Sequence, residues 1–136
     1  MAIKSQKFIL WFREISAKDI PLVGGKNASL GEMFSQLTKK GINIPNGFAI
    51  TTKAYWHFLK KNKIDQKLKE IFKKFDSQNI KSLQETGKKS RSLFLKAKFS
   101  EELKEEIIKA YKILSKKYGK DCDVAVRSSG VAEDQP

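Results

Sequence analysis

The chain has 136 residues, which suits one domain or part of one, and 40% of them are hydrophobic, enough for a buried core. Its single cysteine, Cys122, excludes an internal disulfide framework and indicates a reducing, cytoplasmic environment, while the longest apolar run, residues 8–12, is too short to cross a membrane. The formal net charge is +13, and residues 53–120 carry nearly all of it, with 20 basic and eight acidic side chains.

The first half of the sequence predicts two short strands on either side of a helix. Residues 8–12 are rich in aromatic and branched side chains, as expected of a buried strand. Turn-forming residues then predict a loop at residues 19–25, and apolar side chains at helical spacing predict a helix over residues 27–40, ended by Gly41. A Pro-Asn-Gly turn precedes the second strand, residues 48–50.

The second half predicts a series of amphipathic helices. A helix capped by a threonine comes first. Residues 64–75 then carry one apolar stripe that includes Phe72, so we expect this ring to be buried. Two further helices follow, at residues 80–97 and 101–118, and the second of these has the stronger inward-facing stripe and is ended by Gly119.

Residues 123–129 predict a last strand, because their valines alternate with Ala125 and Arg127. This alternation directs the valines to one face of the strand and Arg127 to the other. The order of strand, helix, strand, several helices and strand predicts a mixed α+β fold with a small sheet.

The first segment that could carry chemistry is VGGKNASLGEM, residues 23–33. Its paired glycines allow the backbone at Gly25 to approach a ligand. Lys26 adds a mobile positive charge at the start of a helix, where amides and the helix dipole favour an anion. The GxxxxGK[ST] spacing of a Walker A loop is absent. A Gly-Gly turn before a helix is usually no more than a turn, so phosphate binding is one of two interpretations.

The second such segment is VAVRSSGVAED, residues 124–134. The planar guanidinium of Arg127 on a rigid strand matches phosphate geometry. The hydroxyls of Ser128 and Ser129 and the glycine Gly130 follow, offering donors and close approach. The alternative is a structural ion pair between Arg127 and either Glu133 or Asp134. These two acids could also contact magnesium, although neighbouring acids in a loop are usually solvated.

Both segments belong to a run, LWF...VGGKNASLGEM...GINIPNGFAIT...VAVRSSGVAED, that resembles the start of the phosphoenolpyruvate synthase (pyruvate, water dikinase) family. The motifs follow the same order over essentially the entire chain, and VGGKNASLGEM, PNGFA and VRSS are each specific. Related pyruvate, phosphate dikinases and antibiotic phosphotransferases share GGK and VRSS, but NASLGEM is more similar to the synthase. The resemblance implies that residues 1–136 are the N-terminal, incomplete part of an ATP-grasp nucleotide-binding domain.

The resemblance further implies an enzyme of three parts: an ATP-grasp domain, a swivelling domain with a phosphorylated histidine, and a barrel domain that binds pyruvate. The family converts ATP, pyruvate and water to phosphoenolpyruvate, AMP and phosphate, with magnesium. By motif position, Lys26 and Arg127 contact the ATP phosphates, and Gly25 and Ser128 belong to the same site. Their charge and donors would offset the charge of the polyphosphate.

Other parts implied by the resemblance lie beyond these 136 residues: the magnesium ligands, the phosphohistidine and the pyruvate site. We therefore expect no catalytic residue and no metal ligand in this chain, no activity from it alone, and the rest of the enzyme, in the same or a second chain, as its partner. His57, the single histidine, lacks the phosphohistidine motif. A separately encoded piece that keeps the fold without activity fits the same pattern.

A basic helical module that binds nucleic acid or another polyanion is the alternative function. It explains the charge of residues 53–120 but leaves both motif segments unexplained. The lysines are spread along helical patterns, which is typical of a solvated surface, and the aromatic-basic interleaving of nucleic-acid readers is missing. We therefore expect ATP as the ligand, and neither a membrane nor a nucleic acid as a partner.

Overall fold

A computed structural model describes residues 3–132 of the chain. Over this range it contains a two-stranded sheet and five α-helices, so the predicted α+β class is confirmed, while the ATP-grasp assignment stays a prediction. Short 3-10 turns precede and follow the first strand. In chain order the main elements are β1 (Ile9–Trp11), α1 (Ile20–Thr38), β2 (Phe48–Ile50), α2 (Thr52–Lys61), α3 (Ile64–Phe72), α4 (Ile80–Lys96) and α5 (Glu101–Tyr118).

The chain divides into two compact units. The first unit runs to Tyr55 and resumes at Glu101, and the second is Trp56–Ser100. Throughout residues 3–132, no helix combines the length and the apolar character needed to span a membrane.

The sheet and α1 form the centre of the first unit. The two strands pair antiparallel, with Leu10 opposite Ala49. Helix α1 approaches the chain that follows β1 very closely, because a Cβ atom at Gly31 would lie 2.5 Å from the Cβ of Ile15. This glycine of the first motif segment therefore has a packing role. The core cluster consists of Leu10, Ile15, Val23, Ala28 and Ala49.

Several predicted helix boundaries agree with the structure because they depend on local signals. Gly41, which follows α1, has a φ of +78°, the left-handed conformation that ends many helices. Thr51 caps α2, since its hydroxyl oxygen accepts a hydrogen bond from the amide of Ala54 at 3.3 Å. The buried residues of α5, all members of the predicted stripe, are Leu103, Ala110 and Leu114.

The second unit contains α3 and α4, which pack against each other. Its aromatic contacts join Phe58 to Phe94 and Phe99, with ring centroids 6.3 and 5.5 Å apart. The prediction that Phe72 is buried is wrong, because the ring lies in the last turn of α3 and is 50% exposed. Its neighbour is the ring of Phe75, at 5.4 Å. The apolar stripe identified a common helix face, but not how far that face is covered.

The predicted strand at residues 123–129 is also wrong. A strand needs a hydrogen-bonded neighbour, and the described part of the chain pairs β1 with β2 alone. The valines do not reach the core, since Val124 is 47% and Val126 91% exposed. The segment is held at its start by the Tyr111 hydroxyl, which donates to the carbonyl of Cys122 at 2.9 Å, and at its end by α1.

Candidate functional site

Helix α1 begins with a short turn and is then interrupted at Gly24. The loop predicted at residues 19–25 is therefore wrong in part, because the chain is helical from Ile20. Within α1, Gly24 leaves the helical conformation, with φ 79° and ψ 165°. The helix restarts at Gly25 and carries Lys26 in its first turn, which gives the first motif segment the helix start that we predicted.

The chain that follows α5 lies directly against this restart. The amide of Gly25 donates to the carbonyl of Gly130 at 3.1 Å, and the Lys26 ammonium donates to the carbonyl of Ser128 at 3.0 Å. The two motif segments therefore meet although 102 residues separate Lys26 from Ser128. We call this meeting of residues 23–27 with residues 128–130, together with the adjoining Arg127, the junction.

Ser129 is the centre of the junction. Its hydroxyl donates to the carbonyl of Val23 at 2.8 Å and accepts from the amide of Asn27 at 3.2 Å. The side-chain amide of Asn27 also donates to the Val23 carbonyl, at 3.1 Å. One serine thus joins the chain on both sides of the interruption in α1.

Gly24 is required at the junction for two reasons. Its φ of +79° lies in the region that side chains with a Cβ rarely adopt. A Cβ atom at this position would also lie 2.5 Å from the hydroxyl oxygen of Ser129 and 2.7 Å from its backbone carbonyl carbon and oxygen. At Gly25, by contrast, a Cβ would meet nothing within 4 Å, so the space beside this residue is open.

These contacts correct one sequence-based expectation about the helix start. The amides of Gly25 and Asn27 already donate to the 128–130 segment, so they are not presented to an external anion as a bare helix start would present them. The positive charge at the junction comes from side chains. Lys26 is half-buried and held by a carbonyl, whereas Arg127 is exposed, on the residue next to Ser128.

The surroundings of Arg127 leave its guanidinium accessible. Across residues 3–132 this side chain has no hydrogen bond and no ion pair. Glu133 and Asp134 lie outside the described residues, so both the alternative ion pair with Arg127 and a contact of these acids with magnesium stay predictions.

His57 and Cys122, the single histidine and the single cysteine, both have polar neighbours in the described range. His57 shares a hydrogen bond with Ser100, 2.8 Å from Nε2 to Oγ, in the second unit. Cys122 lies 3.7 Å from the hydroxyl of Ser115. Between residues 3 and 132, no group of three or more histidine, cysteine, aspartate or glutamate side chains is placed to hold a metal ion.

The sequence identifies the segments of the junction and the serine hydroxyls as donors, but not the contacts that connect the segments. Ser129 stands beside Ser128 in VRSSG, and the doubled serine was the available signal. Its partners, Val23 and Asn27, lie more than a hundred residues earlier, so no local pattern could have paired them. The sequence presents Gly24 and Gly25 as one glycine pair, whereas the structure separates a constrained Gly24 from an open Gly25.

The comparison with known proteins connects this junction to one family. The family described as "Pyruvate phosphate dikinase, AMP/ATP-binding domain" matches residues 20–136. Phosphoenolpyruvate synthase of Synechocystis sp. is 45% identical over 100% of this chain and 17% of its own length. The enzymes of Helicobacter pylori and Escherichia coli are 46% and 38% identical over 96% and 97% of the chain, and 16% of each relative is covered.

The chain therefore spans about a sixth of the length of these curated relatives. The matched region contains both motif segments, and the identity extends over essentially the whole chain. This chain belongs to the family of pyruvate phosphate dikinase AMP/ATP-binding domains.

Proposed function

We propose that this chain is the ATP-binding portion of a phosphotransferase of the phosphoenolpyruvate synthase type, and that Lys26 and Arg127 bind the phosphates of ATP. The observation that carries the proposal is the 3.0 Å hydrogen bond from the Lys26 ammonium to the carbonyl of Ser128, the residue after Arg127. The hydrogen bond brings the backbone next to Arg127 to Lys26, and two positive residues on adjoining segments favour a ligand with several negative charges, such as a triphosphate.

Each residue of the proposed site has a distinct role. The Ser128 carbonyl already orients the Lys26 ammonium, so little side-chain freedom is lost when a phosphate arrives. Arg127 offers a planar, bidentate donor from the exposed side of the junction. The open space beside Gly25 allows the nucleotide to approach the backbone, and the Ser128 hydroxyl is a further candidate donor.

The complete reaction needs groups that this chain does not contain. Pyruvate binding, the phosphorylated histidine and the magnesium ligands are proposed for the remaining part of the enzyme, because the chain covers 16–17% of its relatives. That remaining part is also the proposed partner, and the ATP-grasp fold and a cytoplasmic location stay predictions. We expect no phosphoenolpyruvate from ATP and pyruvate with this chain alone. The family match favours this function over a basic polyanion-binding module.

Titration of the chain with ATP by NMR tests the proposal. Weak binding is expected, with a Kd of about 1 mM, or about −4 kcal/mol. Localised shifts should appear at Gly25, Lys26 and Ser128. Lys26→Ala and Arg127→Ala should each remove a charge-assisted contact, worth about 1.5–3 kcal/mol in a complete domain, and in this chain should weaken binding and remove the localised shifts.

Matched controls distinguish this site from a general attraction to lysine-rich surfaces. Lys112→Ala removes an exposed lysine of α5, and Arg91→Ala removes an exposed arginine of α4. Moderate salt suppresses the nonspecific part of the binding. Equal weakening by the site variants and their controls would contradict the proposal and favour the basic-surface alternative.

A further inference from the structure

The Ser129 hydroxyl interrupts the backbone hydrogen bonding of α1. In an uninterrupted helix, the carbonyl of Val23 and the amide of Asn27 are four residues apart and would bond to each other. Here the Ser129 hydroxyl bridges these two groups, at 2.8 Å from the carbonyl oxygen and 3.2 Å from the amide nitrogen. A side chain inserted into the helical hydrogen-bond ladder is a recognised cause of a kink, and the kink lies at Gly24.

This bridge connects the two positive residues of the junction through short covalent paths. Asn27, which donates to Ser129, is the next residue after Lys26. Ser129 itself is two residues after Arg127. The hydrogen bond from Gly25 to Gly130 adds a second connection, so the backbones that carry the two cations are joined at both Ser129 and Gly130.

We propose that Ser129 is a positioning residue that, together with Gly24, sets the separation of Lys26 and Arg127 for a polyphosphate. This inference rests on the proposed function, but it assigns the serine a role distinct from that of a ligand. A hydroxyl has one proton to donate, and that of Ser129 is directed at the Val23 carbonyl. Phosphate oxygens accept hydrogen bonds, so Ser129 cannot donate to them while the bridge is closed.

The test compares Ser129→Ala and Ser129→Thr with the unmodified chain. Ser129→Ala removes the bridge, so the amide of Asn27 should exchange with solvent faster while the amides of α5 keep their protection. The Kd for ATP should rise about tenfold, as after the loss of one good hydrogen bond. Ser129→Thr keeps the hydroxyl and should retain an affinity within about twofold of the unmodified chain.

Ser82→Ala is the matched control. The Ser82 hydroxyl also accepts a backbone amide, that of Asp76 at 3.0 Å, but it lies in the second unit. A role in stability alone would lower the unfolding midpoint and leave the Kd of the folded protein unchanged, as we expect for Ser82→Ala. An unchanged Kd in Ser129→Ala, with Lys26→Ala and Arg127→Ala still weakening binding, overturns the positioning role and leaves the proposed function intact.

A measurement on the unmodified chain keeps the inference testable if Ser129→Ala does not fold. With ATP bound, the amides of Gly25 and Asn27 should remain as protected from exchange as without it, because the bridge stays closed around the site. Faster exchange at these amides on addition of ATP overturns the inference, since the nucleotide would then open the bridge. Absence of any localised response in the unmodified chain rejects the proposed function itself.

Discussion

The junction of the first unit and the helices of the second unit are both basic, but they hold their charges in different ways. At the junction, the carbonyl of Ser128 fixes the Lys26 ammonium across 102 residues of sequence. In the second unit, Lys73 pairs with Glu70, three residues away, and both side chains are largely exposed. A charge that is oriented by a distant part of the chain indicates a site better than an excess of charge does.

The core of the first unit and the exposed ring of the second unit offer the comparison with the largest expected effect. Leu10 of β1 is fully buried in the core cluster, which it shares with Val23 and Ala28 of α1. Leu10→Ala should therefore cost about 2–5 kcal/mol of stability. Phe72→Ala removes a larger side chain that is half exposed, and should cost less than about 2 kcal/mol. Urea denaturation checks both values, and a larger loss for Phe72 would contradict the structure.

A second comparison concerns two glycines. Gly24→Ala should destabilise by about 2–4 kcal/mol, because it combines a positive φ with overlap against the backbone of Ser129. Gly87 lies inside α4, where a Cβ would meet only the end of the Arg91 side chain, at 3.1 Å. Gly87→Ala should therefore stabilise by about 0.5–1 kcal/mol through helix propensity. Similar effects of the two substitutions on the urea midpoint would show that Gly24 is not constrained.

The outcomes for these regions separate what a sequence can predict from what it cannot. The ends of α1 and α5 were predictable because Gly41 and Gly119 act within one helical turn. The strand at residues 123–129 was not, because a strand also needs a partner, and alternation says nothing about where the partner lies. The prediction that Phe72 is buried failed for a related reason. An apolar stripe shows which face of a helix is apolar, but not whether another element packs against that face.

The candidate site was predictable to the level of segments. GGK and VRSS contain residue types suited to phosphate binding, and their joint occurrence predicts that both belong to one phosphate-binding site. The hydrogen bonds of Ser129 to Val23 and Asn27 could not be derived, because they join positions more than a hundred residues apart through an interruption in a helix. Contacts of this kind depend on the fold as a whole.

A third comparison tests two ion pairs by pH and has the smallest expected effect. Burial raises the pKa of Glu14, but hydrogen bonds from Lys7 and the amide of Trp11, with the charges of Lys7 and Arg13, outweigh it and hold the pKa below its ordinary value of 4.5. A carboxylate whose pKa is lower in the folded state stabilises the fold at pH values above its unfolded-state pKa. That contribution is lost as pH falls through its folded-state pKa.

The expected contribution of Glu14 is about 0.5–1.5 kcal/mol near neutral pH. Glu14→Gln should lose this amount at about pH 7, and the difference from the unmodified chain should disappear as pH falls through the lowered folded-state pKa of Glu14. Glu70→Gln is the control, because its pair with Lys73 is exposed and should contribute about 0–0.5 kcal/mol. Denaturation midpoints over this pH range measure both, and a pH-independent difference for Glu14 would rule out an electrostatic origin.

The central claim is that the phosphates of ATP bind at the junction of the first unit. The most direct test is paramagnetic broadening of amide signals by Mn²⁺ bound to ATP, because the ion stays with the phosphates and broadens the signals nearest to them. Mn²⁺ without ATP is the control. The claim predicts broadening at Gly25, Lys26 and Ser128 with Mn²⁺-ATP and not with Mn²⁺ alone. Broadening spread over the lysines of α4 and α5, with the junction unaffected, would contradict it.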